Sequence, residues 1–235
     1  MGESKEMLEA REVEGWIKSE QERLARGNEV EFNGIKVAVE DGILYFKDKK
    51  TEQFSLLPKK EGLMLDSSWT LAAEKNGNGI RAYLFSKKSE NVFIFELEGK
   101  EGGMEVRKTE VELPFPVGEG LIDFREGTII AANAEEYCLC SRKVFRAKHN
   151  AGEVIGIISI GNGKGAFAGK EELHLVKGGS RSAIQFEKRA ESVRFGIGKK
   201  NYEWLIVRSR EWKSRFLAVV LEGDEEFCYA FSSFR

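Results

Sequence analysis

The sequence is poor in the residues from which crosslinked folds and familiar active sites are built. It holds 3 Cys, 3 Pro and 2 His among 235 residues. An odd number of cysteines gives no disulfide framework. Cys138 and Cys140 sit two apart, so a strand would point both thiols to one face, and Cys228 stands alone near the C-terminus. One C-x-C pair with His149 and His174 falls short of a closed zinc site, which takes four ligands. The expectation is structural thiols in a reducing cytoplasm, with no metal and no cofactor. The prolines (Pro58, Pro114, Pro116) fall between apolar clusters, where a missing N–H does no damage to a sheet. No apolar run approaches the ~20 residues of a membrane helix. Residues 1–27 are charged throughout, so no secretory signal is expected there.

Aspartate and glutamine are also scarce, with 5 Asp and 3 Gln against 34 Glu. Abundant Glu and Lys with few labile amides match the composition of proteins from hot environments. The 41% hydrophobic content is too high for a disordered chain. Net charge is −2, but it is unevenly spread: residues 1–140 carry −9, residues 141–216 carry +10, and residues 217–235 carry −3. Such asymmetry points either to an anionic partner or to regions that attract each other within one fold.

Residues 4–26 read as a helix, with Leu8, Val13, Trp16, Ile17 and Leu24 along one side, Ser4 as N-cap and Gly27 as the stop. Gly15 inside it costs about 1 kcal/mol relative to Ala, so the stripe must be packed to hold the helix. After Gly27 the apolar period becomes two. Runs at 30–32, 35–39 and 43–46 are separated by Asn33-Gly34 and Asp41-Gly42, pairs that favour two-residue hairpin turns.

Strand–turn–strand units then recur, beginning at Val37, Leu71, Ile122, Ile157 and Val193, with a third apolar run after most of them. The spacing averages about 40 residues, the period of propeller blades built from small antiparallel sheets. Residues 104–113 look like an extra strand that lengthens one interval. The predicted fold is therefore mostly β: a propeller-like array of about five small antiparallel sheets over residues 29–235, with residues 1–28 as an N-terminal amphipathic helix. Two β-sandwich or barrel domains, split near 114–120, are the alternative.

Catalytic signatures are thin. The glycine-rich stretch at 161–170 lacks phosphate-loop spacing and precedes a short β run, so it reads as hairpin turns. No nucleophile elbow occurs. Asp41, Asp66, Asp123 and Glu126 near run ends could supply paired carboxylates for glycoside hydrolysis, but acidic residues are so common that four at turns carry little weight. The basic stretch is more suggestive. Arg142, Lys143, Arg146, Arg208, Arg210, Lys213 and Arg215 lie in the positive segment, and Trp212 stands among charges in SREWKSR.

These features predict a non-catalytic scaffold or adaptor in a cytoplasmic complex, touching a protein partner through Trp16 and Trp212. One alternative is an RNA- or single-stranded-DNA-binding subunit using the seven cations, which would neutralise phosphates. A second is a carbohydrate-binding or glycoside-hydrolysing propeller.

Overall fold

The computed structural model describes residues 8–32, 34–40, 43–48, 54–55, 65, 68–100, 103–213, 215–221 and 229–233. One helix, α1 (Ala10–Arg23), precedes a run of antiparallel strands grouped in five separate sheets, none of which closes into a barrel. Sheet I holds β2 (Glu29–Phe32), β3 (Ile35–Glu40), β4 (Ile43–Asp48) and β5 (Phe54–Ser55). Sheet II holds β1 (Ala25–Gly27), β6 (Trp69–Asn76), β7 (Gly79–Ser86), β8 (Asn91–Lys100) and β9 (Gly103–Glu112). Sheet III holds β10 (Leu121–Arg125), β11 (Thr128–Ala132), β12 (Glu136–Cys140) and β13 (Val144–Lys148). Sheet IV holds β14 (Gly156–Gly161), β15 (Lys164–Ala168), β16 (Glu172–Lys177) and β17 (Ser180–Gln185). Sheet V holds β18 (Arg194–Lys200), β19 (Tyr202–Arg208), β20 (Arg215–Val220) and β21 (Tyr229–Ser233).

A four-stranded meander has two faces and cannot bury either alone, so each sheet shares its faces with its neighbours. Val37, Leu44 and Phe46 of sheet I pack with Leu71, Leu84 and Phe95 of sheet II. The other face of sheet II, with Tyr83 and Phe85, meets Phe124, Ile129 and Cys138 of sheet III. Ile130 and Leu139 of sheet III meet Phe167 and Val176 of sheet IV. Leu173 and Leu175 of sheet IV meet Leu205 and Leu217 of sheet V. This face-to-face succession is the propeller-like order expected from the period. Leu113, Phe115 and Val117, beside the prolines, are buried within the cluster that joins sheets II and III.

The repeat is more regular in space than in its sequence cues. The motif beginning at Val37 forms the second and third strands of its sheet, as does the one at Leu71, which β1 precedes in sheet II, whereas the other three motifs form first and second strands. The segment at 104–113, read as an extra strand, forms β9, the fifth strand of the one five-stranded sheet described, and pairs with β8 from Asn91 to Lys100. At the β14–β15 hairpin, Asn162 and Gly163 both take positive φ (53° and 70°), the two-residue turn that the glycine-rich stretch implied.

α1 covers the face of sheet V that sheet IV leaves bare. Val13 and Ile17 are buried against Ile206, Phe216 and Ala218, with Trp16 packed alongside. Two glycines in β18 admit the helix: a Cβ on Gly196 would lie 2.8 Å from the Ile17 backbone nitrogen, and one on Gly198 would fall inside the Trp16 indole. Burying a side chain the size of Ile17 contributes about 1.5–3 kcal/mol, more than the helical cost of Gly15. The helix starts later than predicted, at Ala10, where the Glu12 carboxylate accepts the Glu9 N–H at 3.0 Å; Ser4 lies outside the described residues. It also stops short of Gly27. Residues 25–27 leave the helix because their backbone pairs with Leu71–Ala73 of β6, a tertiary demand that outweighs local propensity.

The C-terminal end of α1 closes on a buried ionic knot. The Arg23 guanidinium donates to Asp123 at 2.9 Å, Glu20 at 3.2 Å, Glu74 at 3.4 Å and the Phe124 carbonyl. Glu74 also accepts the Tyr83 hydroxyl at 2.5 Å, Arg81 at 3.2 Å and the Glu126 N–H at 2.7 Å. Asp123 accepts the Ser159 N–H at 2.8 Å, and Arg125 pairs with Glu20. One helix end thereby joins strands of sheets II, III and IV, while the rest of the helix lies on sheet V.

Candidate interaction surface

Sheets III and IV run from a largely buried first strand to an exposed last one, and this gradient sorts the chemistry. The two outer strands β13 and β17 are largely exposed; Val144 is 50% accessible. Ladder register fixes which backbone groups face outward. Ser141 N–H donates to the Lys143 carbonyl and His149 N–H to the Glu135 carbonyl, so odd-numbered residues of β13 bond inward. Alternation then turns the N–H and C=O of Val144, Arg146 and Lys148 away from the sheet. By the same reasoning Arg181, Ala183 and Gln185 present the free edge of β17, since Phe186 N–H bonds inward to Glu171.

Guanidinium groups cap parts of these edges. Arg146 donates to the last carbonyl of β9, at Glu112, at 3.2 Å, and Arg181 donates to the last carbonyl of β13, at Lys148, at 3.0 Å. Both arginines bond there to neutral acceptors and so keep their full charge. Among the described residues, no carboxylate lies within ion-pairing distance of Arg142, Lys143, Arg146, Lys148 or Arg181. Cations elsewhere are commonly neutralised: Lys36 by Glu29 at 2.7 Å, Lys170 by Glu153 at 2.8 Å, Lys200 by Glu12 at 3.0 Å. Among the described residues, sheet III thus ends in a positive edge that no carboxylate balances.

The seven cations singled out from the sequence fall into two sets. Arg142 and Lys143 occupy the exposed β12–β13 turn and Arg146 follows them on β13. Arg208, Arg210, Lys213 and Arg215 belong to sheet V, and two of them are engaged: Arg208 with Glu14 of α1, and Arg215 with Glu187 at 2.6 Å. Arg210 and Lys213 remain exposed around a 3-10 turn.

The two tryptophans are taken up by the fold. Trp16 packs against β18, and Trp212 is only 4% exposed rather than standing free among its charged neighbours. The turn at Arg210–Trp212 swings the indole inward, where its N–H donates to the Lys188 carbonyl at 2.7 Å and its ring meets Phe186 edge-on. Of the carboxylates considered for hydrolysis, Asp41 and Asp66 lie outside the described residues. Asp123 is enclosed in the ionic knot; burial raises its pKa above the ordinary carboxylate value, and the Arg23 charge only partly opposes this. Glu126 is exposed in the β10–β11 turn with φ 51°.

One cluster escaped the sequence reading because it depends on register. His174, 1% exposed, stacks on Phe167, with His149 next to both. His174 Nε2 lies 2.9 Å from Glu172. His149 Nε2 lies 2.9 Å from the Asn133 carbonyl, and its Nδ1 accepts the Ala151 N–H at 3.1 Å. Burial lowers the pKa of both rings, most simply by opposing a charge in an aromatic setting. The Cys138 and Cys140 sulfurs sit 3.8 Å apart, buried between sheets II and III, and their pairing together with burial pushes the Cys138 pKa up. Among the described residues there is no cluster of three or more His, Cys, Asp or Glu placed to hold a metal ion, and no helix long and apolar enough to cross a membrane.

No protein-family model matches the chain, and no curated protein matches it. Among solved structures it is similar to one described as the AfRom2 CNH domain, at 11% identity over 90% of this chain and 96% of that one. The TM-score of 0.29 is too low for that likeness to support any conclusion about function.

Proposed function

We propose that the protein is a non-catalytic adaptor of a cytoplasmic assembly, holding a protein partner on the outer edge of its sheets. The observation that carries this reading is the exposed, positively charged edge of β13, to which no carboxylate among the described residues is paired. Charge that a fold does not neutralise favours an oppositely charged partner and steers its approach. The buried, unbridged thiols of Cys138 and Cys140 support a reducing compartment.

An RNA or single-stranded-DNA partner draws support from the same charge. Single strands are held by stacking on aromatic rings as well as by cations, and Trp212 is buried, so the protein partner is the better-supported reading. In-cell crosslinking of the full chain followed by mass spectrometry tests it. The expected result is a protein crosslinked to residues 142–148, lost when Arg142 and Lys143 are both changed to Glu. Turnover of a small substrate by purified protein, with no crosslinked partner, would sink the proposal.

A further inference from the structure

We infer that the free edge of β13 takes an extended acidic segment of its partner as a fifth strand of sheet III, a step that rests on the adaptor reading. Three observations converge on this edge. The N–H and C=O of Val144 and Arg146 point outward, and no group among the described residues bonds to them. The side chains of Arg142, Lys143, Arg146 and Lys148 surround those groups without a neutralising carboxylate among the described residues. Val144, at the start of the strand, is one of only three large apolar side chains exposed among the described residues.

Strand addition uses each of these features. Main-chain bonds to an open edge supply affinity, while alternate side chains supply specificity. Val144, Arg146 and Lys148 share one face of β13, because their cross-strand partners are Cys140, Cys138 and Glu136. An antiparallel guest strand would therefore set an apolar residue opposite Val144 and carboxylates opposite Arg146 and Lys148. Directly opposed side chains on one face of a sheet lie close enough to interact, and opposite charges there are favourable. The same cations that keep copies of this chain from pairing edge to edge, as lysine and arginine commonly do, select an acidic guest. A nucleic-acid strand would use the charge but neither the backbone edge nor Val144. The ring nearest this edge, Phe145, is half-buried beneath the turn at residues 178–179.

The test uses the full chain and a capped nine-residue peptide, Thr-Thr-Glu-Thr-Glu-Thr-Val-Thr-Thr, whose two Glu and one Val share the face that meets Lys148, Arg146 and Val144, read by amide chemical shifts and amide exchange. Binding should protect the Val144 and Arg146 amides. N-methylation of the alternate peptide amides that face β13 should weaken binding by about tenfold or more, whereas methylation of the other set should leave it within about twofold. A peptide with Lys in place of Glu should not bind. Val144→Pro removes an outward donor without touching the β12 ladder, so it should weaken binding with an unchanged melting temperature; Lys148→Glu should do so by charge alone. Equal binding of both methylated peptides would reduce the contact to electrostatics and overturn strand addition. Oligouridylate shifting these amides while the acidic peptide does not would make the edge a nucleic-acid surface. Silence from both probes also overturns the inference, and a protein partner still crosslinked to residues 142–148 would then leave the adaptor reading standing without it.

Discussion

The end of α1 and the edge of β13 are built from the same residue types and treat them in opposite ways. At the helix end, Arg23, Arg81 and Arg125 are enclosed and each faces carboxylates of Glu20, Glu74, Glu96 or Asp123. On β13, Arg146 and Lys148 face solvent with no carboxylate partner among the described residues. Buried charges without partners are strongly destabilising, while exposed ones change stability little. The comparison teaches where each kind of arginine acts: in the knot it holds sheets together, and on the edge it is available to something outside the chain.

The largest effect is expected at the knot. Arg23→Met leaves Asp123 and Glu74 buried with less positive charge and should destabilise the protein by about 3–5 kcal/mol, read as a lower urea midpoint. Next comes the helix seat. Gly198→Val pushes a side chain into the Trp16 indole and should cost about 1–3 kcal/mol by overpacking; the paired Trp16→Ala, Gly198→Val variant should recover part of the helix contact if the clash is the cause. A smaller effect concerns the histidines. Their folded pKa values lie below the ordinary value of 6.5, so in the window beneath it the unfolded chain binds more protons than the folded one. Stability should therefore rise with pH through that window and fall as pH drops below 6.5. His174→Gln should flatten the slope. The smallest effect belongs to the edge. Lys143→Glu and Lys148→Glu should each shift stability by less than about 0.5 kcal/mol. A large loss there would erase the contrast between the two regions.

Much of the architecture was legible because the first three strands of most sheets carry dense apolar residues between turn residues, and a period near forty emerges from them. The last strands of sheets III and IV were not legible. β13 and β17 read as polar, VFRAK and SRSAIQ, and only a neighbouring ladder makes such sequences strands. The Val37 motif was read one strand out of phase for a different reason: the run at 30–32 was recognised ahead of a hairpin turn, but as the short strand β2, EVEF, it was left out of the repeat. Trp212 looked exposed because its sequence neighbours are charged, but one 3-10 turn separates the indole from them in space. The two cation sets looked like one stretch, and the fold divides them between sheets III and V.

Apolar periodicity and turn chemistry, which act over a few residues, determined that this chain would form small antiparallel sheets in series with a helix ahead of them. Tertiary structure alone decided which strand edge stays open, which arginines meet carboxylates and which tryptophans are covered. Those outcomes depend on partners 50 to 100 residues away, as with Arg23, Glu74 and Asp123, and no local pattern of residues encodes a contact over that distance.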